Sequence, residues 1–316
     1  MITRRSDLRL AFVKCCICDN SDAKVIGSGK DFEYHTSEET FSVMRCNSCG
    51  LIYLNPRPVI SEFKRIYPPT YHAYNFSENN FGFPYKVRSR IETWRLLSIC
   101  RGLPDNARIL DVGCGDGFHL SLLARAGKKT WSLEGVDIDH HAVESARLKG
   151  LNVHLGSLEQ VDLPAENYDL VFMIMTIEHV ERPDKTICHI KRLLKKGGRV
   201  VIVTDNTNSM DFAFFKRHYW GGYHFPRHWN LFSRHSLRRL AGKTGLEVTS
   251  LKTSVSPVNW VYSIHNALVD RGAPNWLVDR FTLKSTFSLA VFTAIDFIFQ
   301  KFGRGALLKG IFRKPF

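Results

Sequence analysis

Long apolar runs are missing from this sequence. No stretch of about 18 consecutive apolar residues occurs in the 316 residues, which excludes an evident membrane-spanning helix. The arginines of Met1–Asp7 are not followed by an apolar h-region, so the start does not read as a secretory signal and the chain is expected in the cytoplasm. Internal repeats and low-complexity tracts are also lacking, which argues against a solenoid or a long disordered linker. Acids are the scarce charge: 30 Asp+Glu face 44 Lys+Arg, giving a formal net charge of +14. Such an excess draws a protein toward RNA, anionic lipid or phosphorylated small molecules without choosing among them. Residues Lys185 to Lys243 carry thirteen Lys/Arg against only Asp205 and Asp211, which reads either as a solvated face or as a binding surface.

What is present is ordinary globular material. Hydrophobic residues make up 44% and charged residues 23%, enough for a sizeable core and too balanced for wholesale disorder. At roughly 150 residues per domain the length suggests about two domains, or one enlarged enzyme domain. Four blocks are expected. Residues 1–58 form a small cysteine-bearing module, and 59–105 a helical connector broken by Pro68-Pro69 and Pro84 before an apolar-periodic stretch from Val87 to Cys100. Residues 106–255 form an α/β core and 256–316 a C-terminal apolar helical extension with the last strand. Strands are expected at Arg108–Val112, Trp131–Val136, Asn152–Leu155, Asp169–Met173 and Arg199–Thr204. Helices lie between them near Phe118–Ala126, His140–Lys149 and Asp184–Lys195, an alternation that builds a parallel sheet. Beyond them, a helix is expected near Arg234–Lys243 and a strand near Leu246–Thr253.

Five of the eight cysteines fall in the first block. Cys15-x2-Cys18 and Cys46-x2-Cys49 form two knuckles 27 residues apart, a spacing that lets four thiolates meet around one tetrahedral Zn²⁺ in a closed, structural site. Gly50 supplies the turn after the second knuckle. Cys16 could compete for the metal, and an iron–sulfur centre is the weaker alternative.

The segment Ile109-Leu110-Asp111-Val112-Gly113-Cys114-Gly115-Asp116-Gly117 runs from an apolar strand through alternate glycines into a helix. Glycines there permit positive φ and close approach of a ligand to backbone, with helix N–H groups pointing at it. The third glycine of a GxGxxG dinucleotide fingerprint is absent, and Asp111 would repel a pyrophosphate but suit an ammonium group. A second acid, Asp137, stands twenty residues beyond Gly117 at the end of the next strand, where a carboxylate accepts ribose hydroxyls. Ammonium plus ribose describes S-adenosylmethionine better than NAD.

On these residues, on Asn167-Tyr168-Asp169-Leu170-Val171-Phe172 with Glu178-His179-Val180, and on Leu193 to Ile202, the sequence resembles the class I S-adenosylmethionine-dependent methyltransferases. The resemblance covers about Arg108 to Val203. It implies a seven-stranded, mostly parallel Rossmann-like sheet whose last strand is antiparallel. It also implies that Asp111, Gly113, Cys114, Gly115 and Gly117 line the methionine end, Cys114 as packing. Asp137 would hold the ribose, Ile138 would pack on adenine, and Ser157 and Leu158 would lie near its amino edge. Together with the cysteine module and the segment Tyr219–Ser233, the sequence is similar to a bacterial subgroup that modifies sugars, cell-surface glycans or specialised metabolites.

Two glycines and Pro226 exclude a helix across Tyr219–Ser233, so it reads as a loop after the fifth strand, near the mouth where acceptors bind. His179, His224 and His228 are candidate bases for an acceptor that must lose a proton. Arg227 could grip a phosphate or carboxylate of a sugar nucleotide or lipid-linked sugar. The apolar stretch Thr286–Phe299, interrupted by Asp296, is expected to be a core helix. An interfacial helix, giving peripheral contact with the inner membrane face, and a dimer surface are the alternatives. The leading function is methyl transfer to a small-molecule or glycan acceptor. An RNA methyltransferase using the basic surface, and a catalytically inactive cofactor-binding or membrane-docked module, are the rivals. The acceptor atom and the oligomeric state are not readable.

Overall fold

The computed structural model describes residues 8–68 and 78–316, so the expectations about Met1–Asp7 and Pro69 lie outside the described residues. The strands are β1 (Leu10–Ala11), β2 (Ala23–Gly29), β3 (Phe41–Cys46), β4 (Ile52–Leu54), β5 (Arg57–Pro58), β6 (Arg108–Val112), β7 (Ser132–Asp137), β8 (Asn152–Leu155), β9 (Tyr168–Ile174), β10 (Leu194–Asp205), β11 (Asn230–Leu231), β12 (Glu247–Ser254) and β13 (Leu307–Arg313). The helices are α1 (Phe63–Ile66), α2 (Glu78–Ile99), α3 (Phe118–Ala126), α4 (His140–Leu148), α5 (Pro183–Leu193), α6 (Met210–Phe215), α7 (Arg234–Thr244), α8 (Val258–Asp270), α9 (Asn275–Val278) and α10 (Thr286–Lys301).

Seven strands make the central sheet in the order β12-β13-β10-β9-β6-β7-β8. The run from β10 to β8 is parallel, and β13 is antiparallel to both of its neighbours. The inner strands read as apolar runs because both of their faces are covered. Ile109, Leu170, Phe172 and Val201 pack on the side of α2, α3 and α4, while Leu110, Val171, Met173 and Ile202 pack on the side of α5 and α7. Helix α5 ends at Leu193, two residues earlier than the sequence suggests, because Leu194 already pairs with Tyr168 as the first residue of β10. Helix α7 begins with a capping box, the side chains of Ser233 and Ser236 each accepting from the other's backbone N–H. The connector breaks at Gly82 (φ 50°) rather than at Pro84. Two residues past that kink the proline falls in a first helical turn, where its missing N–H costs nothing.

The cysteine module is an antiparallel ribbon, and its sheet contains one strand from elsewhere. The order is β11-β4-β3-β2, so Asn230–Leu231 of the loop after β10 pairs with Ile52–Tyr53. Phe41, Val43, Leu54, Trp220, Tyr223, Phe225 and Trp229 share one buried cluster. Sequence reading missed both β3 and β11. The two-residue β11 has no periodicity, and only its partner makes it a strand, whereas the six-residue β3 does turn Phe41 and Val43 inward.

Helix α10 forms where expected but is not the core helix that was expected. Its solvent face carries Phe287, Val291, Phe297 and Ile298, while the polar Asp296 and Ser288 are buried. Asp296 points inward because three backbone and indole donors await it there: Ser256 N at 3.0 Å, Ala306 N at 3.1 Å and Trp260 Nε1 at 3.2 Å.

Candidate functional site

The glycine turn leaves β6 at the C-terminal edge of the sheet. Gly113, Gly115 and Gly117 all have positive φ, at 74°, 53° and 77°. A Cβ on Gly113 would sit 2.3 Å from Thr176 Cγ2, whereas one on Gly115 would meet nothing within 4 Å. The first glycine is therefore needed for packing against the loop after β9, and the second faces open space. Cys114 is buried, and its sulfur lies against Gly135, where an added Cβ would come within 2.7 Å of it.

Two carboxylates frame the turn. Asp137 Oδ2 accepts from Gly115 N at 2.7 Å and Oδ1 from Asp139 N at 2.9 Å, which fixes its plane at the end of β7. Asp111 is fully buried, and its Oδ2 has no hydrogen-bond partner among the described residues, His119 Nδ1 being 3.9 Å away. Burial and the nearby Asp137 charge hold the Asp111 carboxyl well above its ordinary value, and burial pushes His119 down to about 4. A buried carboxylate beside a neutral imidazole calls for a cation from outside the chain. The open backbone at Gly115 and the orphaned Asp111 oxygen fit the ammonium-bearing end of S-adenosylmethionine. Ile138 is exposed beside the turn, Ser157 is half-buried, and Leu158 is buried.

The loop after β9 reaches the second half of the site three residues beyond Thr176. Glu178, His179 and His228 each present a ligand-type atom within 4.8 Å of the others. The rings of His179 and His228 lie 4.6 Å apart, and those of His224 and His228 lie 5.0 Å apart. All three candidate bases thus converge, although they come from two separated segments. His228 Nδ1–H donates to Gly222 O at 2.8 Å and lies 3.3 Å from Asp205 Oδ2. That arrangement fixes the tautomer and leaves the Nε2 lone pair to act. Burial opposes the charged ring, yet Asp205, Glu178 and the Gly222 carbonyl outweigh it and hold the His228 pKa above 6.5. His179 behaves oppositely: burial and the neighbouring His228 and His224 push it well below that value, while Tyr67 Oη (2.8 Å) and Arg227 O (3.2 Å) share its Nδ1. His224, paired with Glu33 at 3.0 Å, is likewise driven down by burial and by Arg227.

Sequence alone assigns no role to Glu178 or Asp205. Glu178 is fully buried, accepts from Thr204 Oγ1 at 2.9 Å and is pushed up to about 7 by burial. Asp205 Oδ1 accepts from Asn259 Nδ2 at 2.7 Å, while its Oδ2, which faces His228, has no hydrogen-bond partner among the described residues. Its position as the last residue of β10 was the available signal, since ligands gather at the carboxyl ends of parallel strands.

Arg227 does not offer itself to a phosphate. Its side chain has 0% exposure, donates to both carboxylate oxygens of Asp31 (3.2 and 2.9 Å) and to Ile66 O and Phe225 O, and stacks over Tyr34. It staples the loop to the cysteine module. In that module Cys15, Cys18, Cys46 and Cys49 bring their sulfurs within 4.8 Å of one another, Cys15–Cys49 at 3.3 Å and Cys18–Cys46 at 3.5 Å. A tetrahedral Zn²⁺ with bonds near 2.3 Å implies sulfur–sulfur edges of about 3.8 Å, so the cluster fits a zinc-binding module. Cys16 lies outside the cluster and donates instead to Asn230 Oδ1 at 3.4 Å.

A parallel sheet closed by an antiparallel last strand, with a glycine turn and two acids at its carboxyl edge, defines a cofactor-binding methyl-transfer fold. The chain belongs to the family described as "Methyltransferase domain", which matches residues 84–251. Among curated proteins it is 32% identical over 122 residues to a ubiquinone biosynthesis O-methyltransferase of Alkalilimnicola ehrlichii, covering 36% of this chain and 48% of the relative. A protein of the same name from Cereibacter sphaeroides is 31% identical over 172 residues, covering 50% of this chain and 67% of the relative. The chain spans about half the length of the first curated relatives it matches. Among solved structures, phosphoethanolamine N-methyltransferase 2 of Haemonchus contortus, in complex with S-adenosyl-L-methionine, aligns with a TM-score of 0.54 at 16% identity. The alignment covers 100% of this chain and 71% of that one and speaks for the fold alone.

Proposed function

We propose that the enzyme methylates a hydroxyl of a small-molecule or glycan acceptor, with His228 as general base. The observation that carries this reading is the Asp205–His228 pair, buried and 3.3 Å apart, placed one loop away from the glycine turn. Methyl transfer is an in-line displacement at a sulfonium that is already activated. What remains for the protein is to orient the acceptor, exclude water and take a proton as the new bond forms.

In this reading Asp111 and the glycine turn hold the methionine end, and Asp137 accepts the ribose hydroxyls. Ile138 covers the adenine, while Ser157 and Leu158 border its amino edge. Asp205 positions His228 and stabilises its protonated form, and neutral His179 shapes the acceptor side together with His224. Trp229 and Tyr223, both buried, keep water from the His228 ring. Zn²⁺ on the four cysteines supplies a cross-link only, because a four-thiolate site has no open position. Its consequence is indirect: the ribbon it ties carries the β11 pairing that holds the His228 loop. The curated relatives, named as O-methyltransferases of ubiquinone biosynthesis, support a small acceptor with an oxygen nucleophile.

The test is methyl transfer from labelled S-adenosylmethionine to a panel of phenols, sugar nucleotides, glycolipids and transfer RNA, with the wild type and His228→Ala side by side. Transfer to a hydroxyl-bearing small molecule or glycan that falls about a hundredfold in the variant supports the reading. Transfer to RNA alone, or transfer untouched by the substitution, overturns it.

A further inference from the structure

Helix α10 presents its amphipathic pattern inside out. Positions 287, 291, 294 and 298 fall on one face at helical spacing, and with Phe297 and Phe302 they make a broad apolar stripe toward solvent. Phe287 is 78% and Phe302 77% exposed, while Asp296 is fully buried. The inward face is already occupied, with Phe292 and Phe299 stacked on Trp260 of α8 at 5.8 and 6.0 Å. The solvent face is therefore not a core face awaiting a small rearrangement. The N-terminal end of α10 is tied to the preceding turn by Ser288 Oγ donating to Arg280 O, and Trp276, with the Arg280 guanidinium over its ring, is exposed in that turn.

From Arg280 to Arg304 the exposed charges have one sign, and Asp279, just outside that range in the Trp276 turn, is an exposed acid at the margin. Between Arg280 and Arg304 the bases are Arg280, Lys284, Lys301 and Arg304, and the single acid is the buried Asp296. Lys301 Nζ lies 4.9 Å over the Phe297 ring, so a cation borders the apolar surface directly. We infer that α10 and the Trp276 turn form a peripheral docking face for an anionic lipid bilayer. The aromatic stripe would enter the headgroup–acyl boundary and the basic rim would meet lipid phosphates. No helix among the described residues is long and apolar enough to cross a membrane, so the geometry points to lying on the surface. A second copy of the chain fits less well. A two-fold contact sets a patch against itself, which brings Lys284, Lys301 and their neighbours against like charges with no exposed acid between Arg280 and Arg304 to meet them.

The experiment is co-sedimentation of the intact protein with vesicles of 70% phosphatidylcholine and 30% phosphatidylglycerol, against vesicles of phosphatidylcholine alone. Binding at least tenfold tighter to the anionic vesicles, weakened by raised salt, is expected. Phe297→Ser with Ile298→Ser should abolish it, and Lys284→Glu with Lys301→Glu should lower it at least tenfold. All four side chains face solvent, so unchanged thermal unfolding and cofactor affinity show that the variants remain folded. Equal affinity for both vesicle types, no binding to either, or a stable dimer in sedimentation velocity that the same substitutions dissociate would each overturn the proposal.

Discussion

Replacing Asp31 by Asn tests whether Arg227 is a staple or a ligand-binding group. The pair is buried on both sides, with side-chain exposures of 0% and 1%. Asparagine keeps the shape and one acceptor oxygen but removes the charge, leaving a guanidinium whose remaining partners are the Ile66 and Phe225 carbonyls and Thr36 Oγ1. Breaking a buried pair from one side costs about 3–5 kcal/mol. The retained carbonyl contacts put Asp31→Asn at the low end, about 3 kcal/mol, which lowers the melting temperature by roughly 6–12 °C if each kcal/mol is worth 2–4 °C. The double variant Asp31→Asn/Arg227→Met leaves no orphaned charge, so it should lose less than the sum of its singles, with a coupling of about 2 kcal/mol or more.

The pH dependence has a definite sign. Burial alone would raise the Asp31 pKa, but Arg227 and Thr36 outweigh it and hold the group below 3.8 in the folded state. The stabilisation is therefore complete above the unfolded value near 4 and is lost as pH falls through the lower folded one. The wild type should lose stability below about pH 4 more steeply than Asp31→Asn. Thermal unfolding followed by tryptophan fluorescence across pH 3–8 reads all of this. A shift under about 2 °C for Asp31→Asn at pH 7, or an acid limb of unchanged slope, would refute the reasoning. So would an Arg227→Lys enzyme of normal stability with a raised KM confined to phosphate-bearing acceptors.

Three further outcomes are expected. Asp137→Ala should weaken S-adenosylmethionine binding by about 2–3 kcal/mol, since it removes a charged acceptor from two hydroxyls, and calorimetry showing unchanged affinity would exclude the ribose role. With acceptor saturating, turnover should rise with pH through a value above 6.5, because a base works only when neutral and His228 is held protonated longer than a free imidazole. Asp205→Asn should move that limb to lower pH while lowering the plateau, and a pH profile indifferent to the substitution would remove the pair from the chemistry. Protein prepared anaerobically should carry about one zinc per chain by elemental analysis, and Cys46→Ser should release it and destabilise the ribbon; a metal-free preparation of full stability would count against the site.

The local chemistry of the cofactor turn was legible because it is contiguous. Asp111, Gly113, Gly115 and Gly117 lie within seven successive positions, and their conformation follows from strand, alternate glycines and helix in that order. The central strands were legible for the same reason, as short apolar runs between turn signals. The paired CxxC knuckles also carried their meaning in spacing alone. Arg227 was read in the wrong sense, since a basic residue among aromatics looks the same in sequence whether it faces a ligand or a buried aspartate 196 positions away.

Sequence by itself determined most strands and helices of the sheet, the methyltransferase likeness, and the residue types able to hold a metal. Tertiary structure alone decided the rest. It paired His228 with Asp205 and brought both to Glu178 and His179, and it made Asn230–Leu231 an edge strand of a ribbon that begins about 200 residues earlier. It also turned the polar side of α10 inward. The division has one physical cause: backbone conformation is set by neighbours along the chain, whereas the protonation, pairing and exposure of a side chain are set by whatever the fold places against it.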